Sequence, residues 1–249
     1  MMRDLRIIVL AAGQGKRLRS DDSDLPKVLR QVAGRPLLAW VLDHLAWAGP
    51  GAVTLVVGYQ AEKVRQAFGG NYKYALQKEQ LGTGHAVASA AEDFAGYQGD
   101  VLVVYGDMPL YRPETYRNLV LRHQESDADC TLLTAVTSDI PAYGRIVRDQ
   151  EGRFRSIVEQ KDCTAEQLQI REVNPGVYVF RSPLLFQTLK QLRNDNAQGE
   201  YYLTDLPGLL LQASCKIETW TIEDDRQILG VNTPEDLAVC EEILKEARS

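Results

Sequence analysis

Short apolar runs recur along this chain, and up to residue 136 they alternate with stretches of helical spacing. The runs cover residues 7–10, 53–57, 101–105 and 131–136, and are rich in Ile, Leu and Val. Helical patterns follow at 34–48, 61–68, 84–92 and 112–125, with a strand-like stretch at 72–76. Strands buried on both faces read as near-continuous apolar runs, and their alternation with helices marks crossover connections between parallel strands. We therefore expect an α/β, Rossmann-like fold, with a mostly parallel mixed sheet flanked by helices. Ligands of such sheets bind beyond the carboxyl ends of the strands, so function is sought in the residues that follow each run.

The texture changes after Pro141. Residues 144–148 and 154–159, joined around Gln150-Glu151-Gly152, read as a hairpin, and 172–180 as a further strand. Helices are expected at 183–192 and 202–212, a strand at 216–221, and a terminal amphipathic helix at 234–247 with Thr233 as its N-cap before Pro234. A chain of 249 residues, 45% hydrophobic, can bury one large α/β core. No internal repeat or low-complexity linker divides it, so one domain over 1–249 is expected, regular over 1–140, less regular over 141–230, and closed by a helical segment at 231–249.

Charge and cysteine usage exclude several classes. The net charge is −6 and the pI about 5.2, whereas a nucleic-acid binder needs a basic patch or stripe; no nucleic-acid partner is expected. Cys130, Cys163, Cys215 and Cys240 form no C-x-x-C pair, and His44, His85 and His123 are scattered. Free thiols in a reducing cytoplasm fit this better than a disulfide framework or a zinc site. The N-terminal apolar run is too short for a signal peptide and no stretch approaches a membrane span, so a cytoplasmic protein with no membrane partner is expected.

The first apolar run leads into Leu10-Ala11-Ala12-Gly13-Gln14-Gly15-Lys16-Arg17-Leu18, closed by Leu25-Pro26-Lys27. Glycines at a strand end let backbone N–H groups approach a phosphate, and Arg17 and Lys27 add mobile positive charge. Two common phosphate loops are excluded. A P-loop requires Ser or Thr after Gly-Lys, where this chain has Arg17, and a dinucleotide fingerprint requires a third glycine, where it has Leu18. Asp107, directly after the third run, is a turn former or a Mg²⁺ ligand, since hard cations on phosphates take carboxylate oxygens. Asn232 offers an amide oxygen before the last helix. Gln77, with Gly82-Thr83-Gly84, suits the donor-and-acceptor edge of a uracil, or else is a plain glycine loop capping the next helix.

Taken in order, these stretches resemble the uridylyltransferase half of the bacterial bifunctional UDP-N-acetylglucosamine pyrophosphorylase, within the sugar-phosphate nucleotidyltransferases. The resemblance is carried by the 10–18 loop with Leu25-Pro26-Lys27-Val28-Leu29, by Gln77 with Glu79-Gln80-Leu81-Gly82-Thr83-Gly84-His85, and by Tyr105-Gly106-Asp107. It continues through Tyr143-Gly144-Arg145-Ile146, Ile157-Val158-Glu159 with Lys161-Asp162, Asn196 through Asp205, and Gly230-Val231-Asn232. It implies the nucleotide-diphospho-sugar transferase fold, with a nucleotide-binding half at 1–140 and a sugar-binding half at 141–230. It further implies that Leu10, Ala11, Ala12, Gly13, Gln77, Gly82 and Thr83 hold the nucleotide of UTP. Tyr105, Gly106, Gly144, Glu159 and Asn174 would contact the sugar 1-phosphate. Asp107 and Asn232 would bind Mg²⁺, while Arg17 and Lys27, with Asp107, would act on the phosphates. The implied product, UDP-N-acetylglucosamine, is a precursor of peptidoglycan and lipopolysaccharide.

The chain departs from that pattern in three places. Residues 18–26 form a longer and more acidic loop than the family's. Pro175 follows Asn174 where the family has Thr, which removes a backbone donor. The left-handed β-helix acetyltransferase domain is not expected within 1–249, which leaves a separate acetyltransferase partner open and makes monomer or dimer the expected state. Two rival functions are a related transferase with another sugar or base, and a non-catalytic sugar-nucleotide-binding subunit.

Overall fold

A computed structural model describes residues 3–15, 18, 25–138 and 140–246. In chain order the first part contains β1 (Leu5–Ala11), the two-stranded ribbon β2 (Gln31–Val32) and β3 (Arg35–Pro36), and α1 (Leu37–His44). Then come β4 (Val53–Val57), α2 (Ala61–Phe68), β5 (Lys73–Leu76), α3 (Thr83–Ala88), β6 (Asp100–Tyr105), α4 (Pro113–Glu125) and β7 (Cys130–Val136). The helix expected over 34–48 is shorter, because Arg35–Pro36 pairs with β2 and Ala46–Ala48 tightens into a 3-10 turn.

The second part adds β8 (Gly144–Arg148), β9 (Phe154–Val158), β10 (Glu172–Asn174), β11 (Tyr178–Arg181), α5 (Ser182–Leu189), α6 (Leu206–Gln212), β12 (Ile217–Ile222) and α7 (Pro234–Glu246). The helix expected over 202–212 begins late: residues 203–205 form a 3-10 turn, and Pro207, which lacks an N–H, sits in the first turn of α6 where none is needed. Thr233 caps α7 as expected, in a reciprocal pair: Asp236 N–H donates to Thr233 Oγ1 (3.2 Å) and Thr233 N–H to Asp236 Oδ2 (2.9 Å).

One mixed sheet of ten strands runs through both parts, in the order β5-β4-β1-β6-β11-β7-β10-β8-β9, with β12 beside β7. The β5-β4-β1-β6 portion is parallel, and β11, β10, β8 and β9 pair antiparallel. The strand expected over 172–180 is interrupted. Glu172 and Val173 face Val136 and Ala135, and Tyr178 faces Leu132, so residues 174–177 lie opposite only 133 and 134. This bulge lets one strand serve two neighbours, since β11 pairs with β6 while β10 pairs with β8. Gly176 sits in it at φ +91°, and a Cβ there would meet the Tyr105 ring at 2.4 Å.

Alternation along each strand splits the core into two layers. Ile7, Val9, Leu55, Leu102 and Val104 face α1, α2 and α4, while Ile8, Leu10, Val56, Val101 and Val103 face α3, α5 and α6. A third cluster packs α7, through Cys240 and Leu244, onto Val32, Leu37 and Trp40. No helix among the described residues is long and apolar enough to cross a membrane.

At the far end of the sheet from the loops, the Asp100 side chain is fully buried. Burial pushes its carboxyl pKa up, but the His123 ring, with Nε2 3.4 Å away, and the hydrogen bonds from Gln124 (2.9 Å) and Arg3 (2.9 Å) prevail and hold it below its ordinary value. A depressed folded-state pKa contributes stability above the unfolded-state value of 3.8 and loses it as pH falls further. Asp100→Asn is therefore expected to cost about 1–3 kcal/mol at pH 7 and to shrink the loss of stability below pH 4, as read by urea unfolding at neutral and acid pH.

Candidate active site

The end of β1 opens into a cleft of about 360 Å³, walled by Ala11, Ala12 and Gly13 on one side and by Gln77, Gly82 and Thr83 on the other. Leu10 also lines it. Gln77 is 5% exposed; its Nε2 donates to Gly82 O (3.1 Å) and lies 3.2 Å from His85 Nδ1. Gln80 reaches across, donating from Nε2 to Ala12 O (2.9 Å), and so ties the two walls together.

The loop glycines serve different ends. Gly13 faces open space, with no atom within 4 Å of where a Cβ would stand. Gly15 (φ +65°) is required instead by Lys27, whose Cβ would lie 2.7 Å from a Cβ at 15. Gly82 (φ +110°) is required by the chain's own residues 200–201: a Cβ there would stand 2.7 Å from Tyr201 O. Tyr201 N–H donates to Leu81 O and Gly84 N–H to Tyr201 O, both at 2.8 Å.

A second cavity, of about 230 Å³, lies where the sheet bulges, beside Gly144, Glu159, Asn174 and Pro175. Asn174 Nδ2 donates to the Tyr178 hydroxyl (2.6 Å), while Asn174 Oδ1 is buried without a protein partner. Glu159 accepts from Thr204 Oγ1 (2.9 Å). Burial pushes its carboxyl above the ordinary range, aided by the nearby acids Asp205, Asp162 and Glu200, and the Thr204 bond only partly offsets this. Gly106 lines neither cavity: its N–H donates to Leu10 O (2.9 Å), and its Cα faces Leu38 and Val28.

Thr83, Tyr105, Asp107, Glu200 and Asn232 line both cavities. At this junction Lys27 Nζ donates to Asp107 Oδ2 and to Asn232 Oδ1 (2.8 Å). Lys27 opens a 3-10 turn after Pro26, Asp107 follows β6, and Asn232 precedes α7. Val231 N–H donates to Asp107 O (3.1 Å) and joins the last two loops. Two oxygen donors, one of them a carboxylate, thus converge on a single positive charge. That donor set suits Mg²⁺, which commonly takes one or two protein oxygens and completes its shell with water and substrate phosphate. Among the described residues no three His, Cys, Asp or Glu side chains cluster as a self-sufficient metal site.

Of the residues singled out from sequence, Lys27, Asp107, Asn232, Leu10 to Gly13, Gln77, Gly82, Thr83, Tyr105, Gly144, Glu159 and Asn174 line these joined cavities. Arg17 lies outside the described residues, as does most of the acidic loop that follows it. Sequence reasoning assigned no role to Gln80, Glu200 or Tyr143. All three stood inside motif runs, but nothing local to them says that they meet at one cleft.

The profile of the MobA-like NTP transferase domain matches residues 7–205. The bifunctional protein GlmU of Pelobacter propionicus is 45% identical over 246 residues, 98% of this chain and 53% of that protein. GlmU of Geobacter metallireducens is 44% identical over 239 residues, 95% of this chain and 50% of that protein. The chain therefore spans about half the length of the curated relatives it matches. Among solved structures, a Bacillus anthracis protein described as a glucose-1-phosphate thymidylyltransferase, crystallised with sucrose, superposes with a TM-score of 0.77 at 20% identity. That match covers 96% of this chain and 94% of the other, and shares the nucleotide-diphospho-sugar transferase fold. The extent of the profile match settles the family: this chain is a nucleotidyltransferase belonging to the MobA-like NTP transferase domains.

Proposed function

We propose that the chain is a Mg²⁺-dependent uridylyltransferase that makes UDP-N-acetylglucosamine and pyrophosphate from UTP and N-acetylglucosamine 1-phosphate. The observation that carries this reading is the meeting of two cavities at Lys27, Asp107 and Asn232. One cavity is suited to a nucleotide by its glycine loop and paired glutamines. The other is suited to a sugar by a half-buried carboxylate and an amide oxygen with no protein partner. The GlmU relatives and the motif resemblance support uridine and N-acetylglucosamine as the two occupants. Four free cysteines and substrates of this kind fit a cytoplasmic enzyme.

The sugar's phosphate oxygen attacks the α-phosphorus of UTP in line, and pyrophosphate leaves. A phosphate monoester is largely ionised at neutral pH, so no general base is required, and the burden falls on positioning and charge. Asp107 and Asn232 would hold Mg²⁺, which supplies charge neutralisation across the reacting phosphates. Lys27, within reach of both cavities, stabilises charge at the transferring phosphoryl group, and Arg17 is assigned to the departing phosphates. Gln77 and the Gly82-Thr83 backbone hold the base. Glu159 and Asn174 accept hydrogen bonds from sugar hydroxyl or amide groups.

The test is pyrophosphate release with each NTP against the 1-phosphates of N-acetylglucosamine, glucose and glucosamine. Preference for UTP with N-acetylglucosamine 1-phosphate is expected. Preference for another pair would assign the specificity to the Pro175 bulge and the acidic loop, and silence with every pair would favour a binding subunit. Asp107→Ala is expected to lose at least about a hundredfold in kcat, the scale of one electrostatic stabiliser; near-normal turnover would refute the metal assignment. Because its folded-state pKa is raised, Glu159 costs stability as pH rises from 4.5 through that value. Glu159→Gln should therefore melt no lower than the parent at pH 7, with any gain vanishing below pH 4.5, while raising KM for the sugar phosphate and leaving that for UTP in place.

A further inference from the structure

Asn232 stands in an irregular stretch between the 3-10 turn Asp225–Ile228 and α7, so its side chain needs outside help to face the junction. That help can be followed bond by bond. The amide's Nδ2 donates to Gly230 O (3.0 Å), which turns Oδ1 toward Lys27. Gly230 is gripped from its other side, where its N–H donates to the Tyr143 hydroxyl (3.0 Å). The same hydroxyl donates to Ile228 O (2.7 Å), so one oxygen bridges both ends of the turn that leads to Asn232.

Tyr143 is itself anchored in the other half of the molecule. Its N–H donates to Pro141 O (2.8 Å). The guanidinium of Arg145, 2% exposed in β8, donates through Nη1 to Pro141 O (3.1 Å) and to Tyr143 O. Gly144, between these two residues, lines the sugar cavity. Space at the bridge is tight as well, since a Cβ at Gly230 would lie 2.8 Å from the Tyr143 hydroxyl.

We infer that Tyr143 is a positioning residue for the metal site: through Gly230 its hydroxyl orients the Asn232 amide so that Oδ1 points at the cation. The inference rests on the reading that Asp107 and Asn232 hold Mg²⁺. Groups that orient metal ligands from behind, without touching the ion, typically cost ten- to a hundredfold in metal affinity when removed. Phe keeps the ring and its packing and removes only the bridging oxygen.

The experiment measures binding of Mn²⁺ alone to the purified chain, by the EPR signal of the free ion, with UTP binding in EDTA by calorimetry as the second readout. Asn232→Ala is the reference. Tyr143→Phe is expected to raise the Mn²⁺ Kd by about tenfold and to leave UTP affinity in EDTA unchanged. Gly230→Ala, which crowds the bridge from the opposite side, should move Mn²⁺ affinity the same way, and it carries the test if Tyr143→Phe does not fold. Weakening by Asn232→Ala with no change in Tyr143→Phe would overturn the positioning role alone. No change in either would overturn the metal reading and the inference with it. An equal loss of Mn²⁺ and UTP binding in Tyr143→Phe would mean general disruption of the site and would also overturn the role.

Discussion

The ammonium of Lys27, set between the carboxylate of Asp107 and the amide oxygen of Asn232, is the contact on which the site depends. Its members come from the loop after β1, the end of β6 and the approach to α7, so it closes only when the whole chain is folded. A mostly buried ion pair rarely adds net stability, because desolvation offsets the attraction, and breaking one partner leaves a charge stranded. Such a pair is better understood as a constraint on geometry. It requires oxygens from two loops to face one point between the cavities, and a cation on phosphates requires the same arrangement. The bond from Val231 N–H to Asp107 O and the cap of α7 by Thr233 and Asp236 hold that arrangement from behind.

The second cavity is a product of sheet geometry. A continuous strand over 172–180 would fill the space between β6 and β8 with ladder hydrogen bonds. The bulge instead breaks the strand after Asn174, whose Oδ1 is left without a protein partner beside the half-buried Glu159. An unpaired buried acceptor and a carboxyl pushed up by burial are costly features, and their place beside a cavity is what a ligand's hydroxyl or amide groups would repay. Pro175 belongs to this bulge: it occupies a position where the ladder is already broken, so its missing N–H leaves no gap in the sheet.

Much of the fold was legible because apolar runs and helical spacing are local signals. The strands at 53–57, 101–105 and 131–136 and the helix over 61–68 follow them closely. The failures have tertiary causes. The helix over 34–48 gives up its first turn to pairing with β2, and the strand over 172–180 is broken by the need to serve both β6 and β8. The three loop glycines Gly13, Gly15 and Gly82 differ in what surrounds them. Gly13 is open to the cleft, but Gly15 makes room for Lys27 and Gly82 for Tyr201, contacts that no local pattern could announce.

Sequence by itself determined which chemistry is available: a basic glycine loop after a strand, a carboxylate after another, an amide before a helix, and the motif order that marks the family. These are properties of residue type and spacing along one element, set by backbone geometry within a few residues. Only the tertiary structure decided that Lys27, Asp107 and Asn232 share one point, that Gln80 and Glu200 belong to the cleft, and that Tyr143 grips the loop carrying Asn232. Those contacts join residues tens to hundreds of positions apart, and their geometry follows from packing two core layers on a single mixed sheet.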